Sequence, residues 1–247
     1  MFFRPGSKVK FSSYFWEEKF PIIMFYKTVK NENSLKILTV SDVVEPTLGQ
    51  PSGKRQFEGI DLIISCGDLP PEYLSSLIDS IKAPLYYVGG NHDIRYKDKP
   101  PQGGLNLHGR LIPFEGINIL GLEGSHWYNG GPYQYTEVQM RSIIRRLGPK
   151  LWWRGGIDVV VTHAPPRHIH DAEDHCHRGF ECYHRLIKKY QPHYFIHGHI
   201  HRTFDDPADR VTVVGKTKVV NTYGYNILEI ENSRNAESIG EHSTPGR

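Results

Sequence analysis

Carboxylates, an amide and four imidazoles recur in this chain where apolar runs stop, at Ser41-Asp42, Gly67-Asp68, Gly90-Asn91-His92-Asp93, Thr162-His163 and Gly198-His199-Ile200-His201. A lone Asp after a strand is ordinarily a cap or turn residue, so each position alone says little. Five in succession say more. Oxygen and nitrogen donors without a thiolate suit borderline divalent or trivalent cations such as Mn, Fe, Zn or Co. Two such cations about 3.5 to 4 Å apart can activate a bridging water, neutralise phosphate oxygens and stabilise an in-line displacement.

The elements that must position these donors are legible from periodicity. Residues 35–41 form a β-rich apolar run ending at Asp42, and a Pro/Gly/Gln loop follows over 46–53. Residues 61–66 repeat the pattern up to Gly67-Asp68, after which Tyr73, Leu74, Leu77, Ile78 and Ile81 carry helical spacing over 71–81. A third strand, 85–88, leads into Gly89-Gly90-Asn91. Over 107–122 two strands pair around Glu115-Gly116, 125–135 reads as a long polar loop, and Thr136 caps a helix to Leu147 with Met140, Ile143, Ile144 and Leu147 inward. A strand at 159–161 precedes His163, a helix spans 180–190, and a strand at 194–196 precedes Gly198-His199. The stretches 211–214, 218–220 and 225–230 alternate like antiparallel strands.

Alternating strands and helices followed by a run of strands predict an α/β protein with mixed sheets. Open sheets of that class keep their ligand sites at strand ends, where the donors lie. With no repeat and no linker, one domain over 34–232 is expected. Residues 1–33 read as an N-terminal extension, within which Met24 is an alternative start, and 233–247 as a polar disordered tail.

Composition narrows the partners. A chain of 247 residues can bury a core without staples. Its net charge of +3 comes from scattered Lys and Arg rather than a basic block, so no nucleic-acid partner is indicated. Cys66, Cys176 and Cys182 are odd in number and lack CxxC spacing, which argues against a disulfide framework and suits a reducing cytoplasm. The apolar run 20–26 is too short to span a bilayer and follows Glu17, Glu18 and Lys19, so neither membrane partner nor signal peptide is expected. Nothing in the sequence speaks to oligomeric state.

In their order and spacing these blocks resemble the calcineurin-like metallophosphoesterase superfamily, whose signature runs D-x-H, G-D, G-N-H-D/E, H, G-H-x-H. The resemblance covers roughly residues 35–231. It implies two mixed β-sheets packed as a sandwich flanked by helices, in four layers. It implies metal-dependent hydrolysis of phosphodiesters or phosphomonoesters, with diesters slightly preferred, at a dinuclear centre with a bridging hydroxide. Asp68 would bridge the metals, one of them completed by Asn91, His163 and His199 and the other by Asp42 and His201. The first block departs from the pattern, because Asp42-Val43-Val44 has valine where the family has a metal-binding histidine. The first site is therefore expected to be weak unless water, Glu45 or Tyr73 fills the gap. Val44→His should raise its affinity unless another group already occupies that position.

His92 would project beside the Asn91 ligand, where an imidazole can bind phosphate and protonate the departing alkoxide, and the matching family residue has that role. Asp93 either orients His92 or serves as a turn acceptor. Asn91, His92, His177 and Arg178 are the expected substrate contacts, the last two on a loop over 168–179 that lies between ligand blocks. His168, His170, His175, His177, Cys176 and Cys182 suggest a separate zinc site, but their spacing fits no standard finger. Ser125, His126, Trp127 and Tyr128 could form a substrate wall, and Trp152 and Trp153 read as cover for core or an interface. Two alternatives to a hydrolase of small phosphoesters stand: a catalytically weak or inactive binding or scaffold protein of the same fold, like the superfamily's retromer subunit, and a nuclease, for which the basic groove is lacking.

Overall fold

A computed structural model describes residues 34–49 and 57–231. The expectations for 1–33, for Met24 and for 233–247 lie outside the described residues.

Strand β1 (Ser34–Ser41) alternates strictly: Leu35 and Ile37 face one side, Leu38 and Val40 the other, and all four are buried. Burial on both faces is the mark of a central strand covered on each side. Strands β2 (Leu62–Ser65), β3 (Leu85–Tyr87) and β4 (Gly104–Asn106) follow in parallel from β1, and β13 (Gly224–Glu231) closes the far edge antiparallel, giving the order β13-β1-β2-β3-β4. The second sheet has the order β11 (Val211–Val214), β12 (Thr217–Asn221), β10 (Tyr194–His197), β9 (Val159–Thr162), β6 (Ile117–Leu122), β5 (Arg110–Phe114). Its centre, β6, β9, β10 and β12, is parallel, while β5 and β11 are antiparallel edges.

Three apolar layers hold this together. Ile37, Leu62 and Ile64 of one sheet meet Ile119, Val159, Val161 and Ile196 of the other. Leu38, Val40 and Ile63 on the outer face pack with Leu74 and Leu77 of helix α1 (Pro71–Ile81). Leu120, Val160 and Phe195 pack beneath α2 (Glu137–Arg146) and α4 (Glu181–Tyr190), through Met140, Tyr183, Leu186 and Ile187. Helix, sheet, sheet, helix is the four-layer α/β sandwich expected. Each fully buried Val, Leu or Ile contributes about 1.5 to 3 kcal/mol.

Local chemistry sets the helix ends. Thr136 and Gln139 form a reciprocal capping box at the start of α2, and Pro71 opens α1 where its missing N–H costs nothing. Several expectations are corrected. The last three strands are antiparallel as expected where β11 meets β12 and β13 meets β1, but β12 also lies parallel to β10, and β13 crosses to the other sheet. The stretch 125–135 carries a short parallel pair, β7 (Ser125–His126) and β8 (Gln134–Tyr135). Strand β4 and helix α3 (Gly148–Trp153) were not legible, being three and six residues long with Gly or Pro in each. On α3, Trp152 and Trp153 are 85% and 75% exposed, so they cover no core. All three cysteines are free, and no described helix is long and apolar enough to cross a membrane.

Candidate metal centre

The C-terminal ends of β1, β2 and β3 in one sheet and of β9 and β10 in the other converge on one edge of the sandwich. Two backbone bonds lock the loops there, Asp42 N–H to the Gly67 carbonyl (3.1 Å) and Gly198 N–H to the His163 carbonyl (3.0 Å). Asp42, Asp68 and His199 all have left-handed backbones, with φ of 63°, 57° and 68°. A non-glycine residue held there costs on the order of 1 kcal/mol, and such strain gathers at functional sites. Two glycines leave the room required. A Cβ at Gly90 would lie 2.1 Å from Asp68 Oδ1, and one at Gly198 would lie 2.7 Å from Asp42 Oδ2.

One donor set is buried and closed around. Asp68, His163 and His199 each offer an atom within 4.8 Å of the others. Asn91 Oδ1 stands 3.0 Å from His163 Nε2, and Asp68 Oδ2 stands 3.4 Å from the same nitrogen. Both imidazoles are turned by backbone carbonyls: His163 Nδ1 donates to Cys66 (2.7 Å) and His199 Nε2 donates to Cys176 (2.6 Å). This leaves His163 Nε2 and His199 Nδ1 to face the centre, the way outer hydrogen bonds orient metal-binding histidines. Asn91 is oriented likewise, its amide donating to the Tyr128 hydroxyl (3.1 Å). Burial would depress His163, but the Asp68 carboxylate outweighs it and lifts the imidazole to about 9. Burial, reinforced by the charge on His163, drops His199 to about 3. Opposed shifts on adjoining imidazoles mark a functional-site environment, and metal binding favours the deprotonated form of both rings. The donors fit the borderline cation expected of them.

The other set is more open. The Asp42 side chain is fully buried, and its two oxygens accept the His199 N–H (3.2 and 3.0 Å). His201 Nε2 lies 3.5 Å from Asp42 Oδ1, but the His201 side chain is 57% exposed and stacks on Tyr223. Its hydrogen bond to Asp42 raises its pKa. Val44 is 44% exposed and offers no donor. Tyr73 has its hydroxyl engaged with the backbone of Glu45.

His92 is exposed, tied to the centre by its N–H, which donates to Asp68 Oδ1 (2.8 Å). Beside it opens a cavity of about 230 Å³ lined by Asp68, Leu69, Pro70, Arg95 and Tyr96 among others. Asp93 is corrected. It makes no hydrogen bond to His92 among the described residues; its Oδ2 instead accepts the N–H groups of Asp68 and Gly90, both at 2.8 Å. Burial, with the adjoining Asp68 charge, pushes Asp93 up to about 7. The residue clamps two ligand loops together.

The loop after β9 crosses the site. Arg167 pairs with Asp171 and Glu173 (2.7 Å each), Asp171 also accepts the Gly179 N–H (3.0 Å), and the loop is thereby closed at its base. His177 is brought to the centre, its ring 5.2 Å from that of His199, whereas Arg178 is exposed on the same loop. The zinc constellation is split: Cys182 is buried in the α4 core and His168 is turned outward, while Cys176 and His177 stay together beside Asp174. His170 belongs elsewhere, in a chain that sequence reasoning missed. His197 Nδ1 donates to the Gly198 carbonyl (2.9 Å), so its Nε2 accepts from His170 Nδ1 (2.9 Å), whose Nε2 accepts from Thr212 (2.8 Å). Burial depresses both histidines, with Arg202 adding to the effect on His170, and the neutral chain braces the loop that carries His199. Of the proposed wall, Tyr128 reaches the centre through Asn91, while His126 packs on Phe180 and Trp127 is exposed.

The model of the calcineurin-like phosphoesterase family matches residues 36–203, more than half the chain, and the protein belongs to that family. Members of this family are generally metal-dependent phosphoester hydrolases. The fold is also that of TT1561 from Thermus thermophilus (TM-score 0.56, 16% identity, 80% of this chain and 99% of that one). It is shared by the calcineurin-like phosphoesterase YfkN from Bacillus subtilis (TM-score 0.50, 12% identity, 81% and 85%). At these identities the likeness shows the fold alone. A search of curated protein sequences finds no match.

Proposed function

We propose that this protein hydrolyses small phosphodiesters or phosphomonoesters with two metal ions, held by Asp68, Asn91, His163 and His199 on one side and by Asp42, Asp68 and His201 on the other. The observation that carries this reading is the buried set of Asp68, His163 and His199 donors within 4.8 Å of one another, with both imidazoles aimed by backbone carbonyls. When bound, the cations would supply an activated water and neutralise the phosphate oxygens. The chain's own part is to orient and exclude. Tyr128 holds the Asn91 carbonyl toward the centre, and Asp93 keeps the Asp68 and Asn91 loops in register. His92, on the rim of the cavity, binds the phosphate and gives a proton to the departing oxygen.

The test is elemental analysis of the purified chain, paired with hydrolysis of bis(p-nitrophenyl) phosphate and p-nitrophenyl phosphate by the wild type and Asp68→Ala. Bound metal and Asp68-dependent turnover are expected. No metal and no turnover with added Mn²⁺ would overturn the reading. A second reading, a binding or scaffold protein with weak or no catalysis, is favoured by the exposed, donor-free Val44. Metal retained without turnover on either ester would select it.

A further inference from the structure

We infer that His177, on the loop crossing the site, supplies the imidazole that Val44 lacks and completes the first metal's ligands with Asp42, Asp68 and His201. The inference rests on the two-metal reading above. Four observations carry it. The His177 ring lies 5.2 Å from His199 and 6.5 Å from His201, the two imidazoles of the last ligand block, and the buried ligand pair His163 and His199 is itself spaced at 4.7 Å. The His177 Nδ1 donates to Asp174 (2.9 Å to Oδ1, 3.1 Å to Oδ2), which leaves Nε2 as the nitrogen with a free lone pair. A carboxylate behind the non-ligating nitrogen is the usual setting of a metal-binding histidine.

The same carboxylate shapes the turn, accepting the backbone N–H groups of Cys176 and His177 at 3.1 Å each. Finally, the Cys176 carbonyl receives the His199 Nε2 proton, so the residue before His177 is anchored directly to a ligand of the second metal. Of the other candidates for the gap, Glu45 has its carboxylate beside Gly224, with Oε1 3.2 Å from where a Cβ there would lie. Tyr73 is committed to the Glu45 backbone. The donor atoms of Asp174, Cys176 and His177 also lie within 4.8 Å of one another, so a separate ion on the loop is the rival arrangement. An ion bound through Asp174 Oδ1 would displace the three N–H groups that now hold the turn.

The experiment counts and titrates Co²⁺ on the full chain by elemental analysis and calorimetry, with its visible absorption as a second readout. Wild type is expected to bind two ions. His177→Ala should bind one as before and the other more weakly, by at least the roughly 10- to 100-fold that loss of even an outer-shell partner costs. Val44→His combined with His177→Ala should restore the ion of the first site, since it returns an imidazole to the family's position. Asp42→Ala and His177→Ala together should remove the same single ion that each affects alone. Two ions retained at wild-type affinity in His177→Ala would overturn the inference, as would failure of Val44→His to restore binding, or loss of two ions in the Asp42/His177 double variant. A wild type with one ion, removed by His163→Ala, would also overturn it. A wild type with none would bring down the two-metal reading itself.

Discussion

Asp68, Asn91, His163 and His199 sit beneath the joined edges of two sheets, each imidazole or amide turned by a neighbour that is itself fixed: the Cys66 carbonyl, the Cys176 carbonyl or the Tyr128 hydroxyl. On the other side of the centre only Asp42 is buried; His201 is more than half exposed and stacks on Tyr223, and His177 rides on a loop. The contrast shows where a ligand can change. A buried imidazole with a committed partner cannot be removed without stranding a carbonyl, whereas an exposed position such as Val44 can go without a donor at no such cost.

The sharpest test of this contrast is Asp68→Ala, which removes the carboxylate common to both halves. Turnover on bis(p-nitrophenyl) phosphate should fall to background with metal lost from both sites, and an ion left tightly bound would show that the halves do not share it. His92→Ala should lower turnover by about 10²- to 10⁴-fold with both metals retained, because it removes a proton donor and no ligand. An undiminished rate, read in the same assay, would strike His92 from the reaction.

Next come the matched variants His163→Ala and His201→Ala, compared by urea unfolding without metal. The first strands the buried Cys66 carbonyl and should cost about 1 to 3 kcal/mol. The second, at an exposed position, should stay within about 0.5 kcal/mol. Equal costs would break the distinction between a buried and an open half. Acid should also find the buried polar groups first. Burial holds His108 down to about 4, with Nδ1 accepting the Glu123 N–H (3.1 Å). The unfolded chain therefore takes up a proton at this residue near pH 6.5 while the folded one does not. This part of the stability is present above about pH 6.5 and is lost as pH falls toward 4. His108→Gln should flatten the slope of unfolding midpoint against pH over that window, and an unchanged slope would remove His108 from the account. The smallest effect belongs to Val44→His alone. With His177 already in place, Co²⁺ affinity at the first site should change by less than about tenfold, within the range of a single outer-shell contact.

Much of this was legible beforehand because the signals are local. Strands 35–41, 61–66, 85–88, 159–161 and 194–196 announce themselves by continuous apolar runs, and the helix at 71–81 by its spacing and opening proline. Pairing partners are not local. The parallel alignment of β12 with β10, and the crossing of β13 to the other sheet, depend on residues far apart in the chain, as does the exposure of Trp152 and Trp153. Asp93 illustrates the limit within the site. Its position next to His92 suggested a partnership, but its carboxylate is claimed by the N–H of Asp68, twenty-five residues away.

The order of residues was enough to say which donors stand at strand ends, and therefore what kind of chemistry the protein could host, since apolar periodicity and donor type are properties of adjacent residues. Which of those ends meet was settled by packing. Left-handed turns at Asp42, Asp68 and His199, bare glycines at the points of closest approach, and loop carbonyls of Cys66 and Cys176 together decide which imidazole nitrogens face the centre. Packing also brought the His177 ring beside those of His199 and His201, because a loop's reach is set by what it is tied to in space.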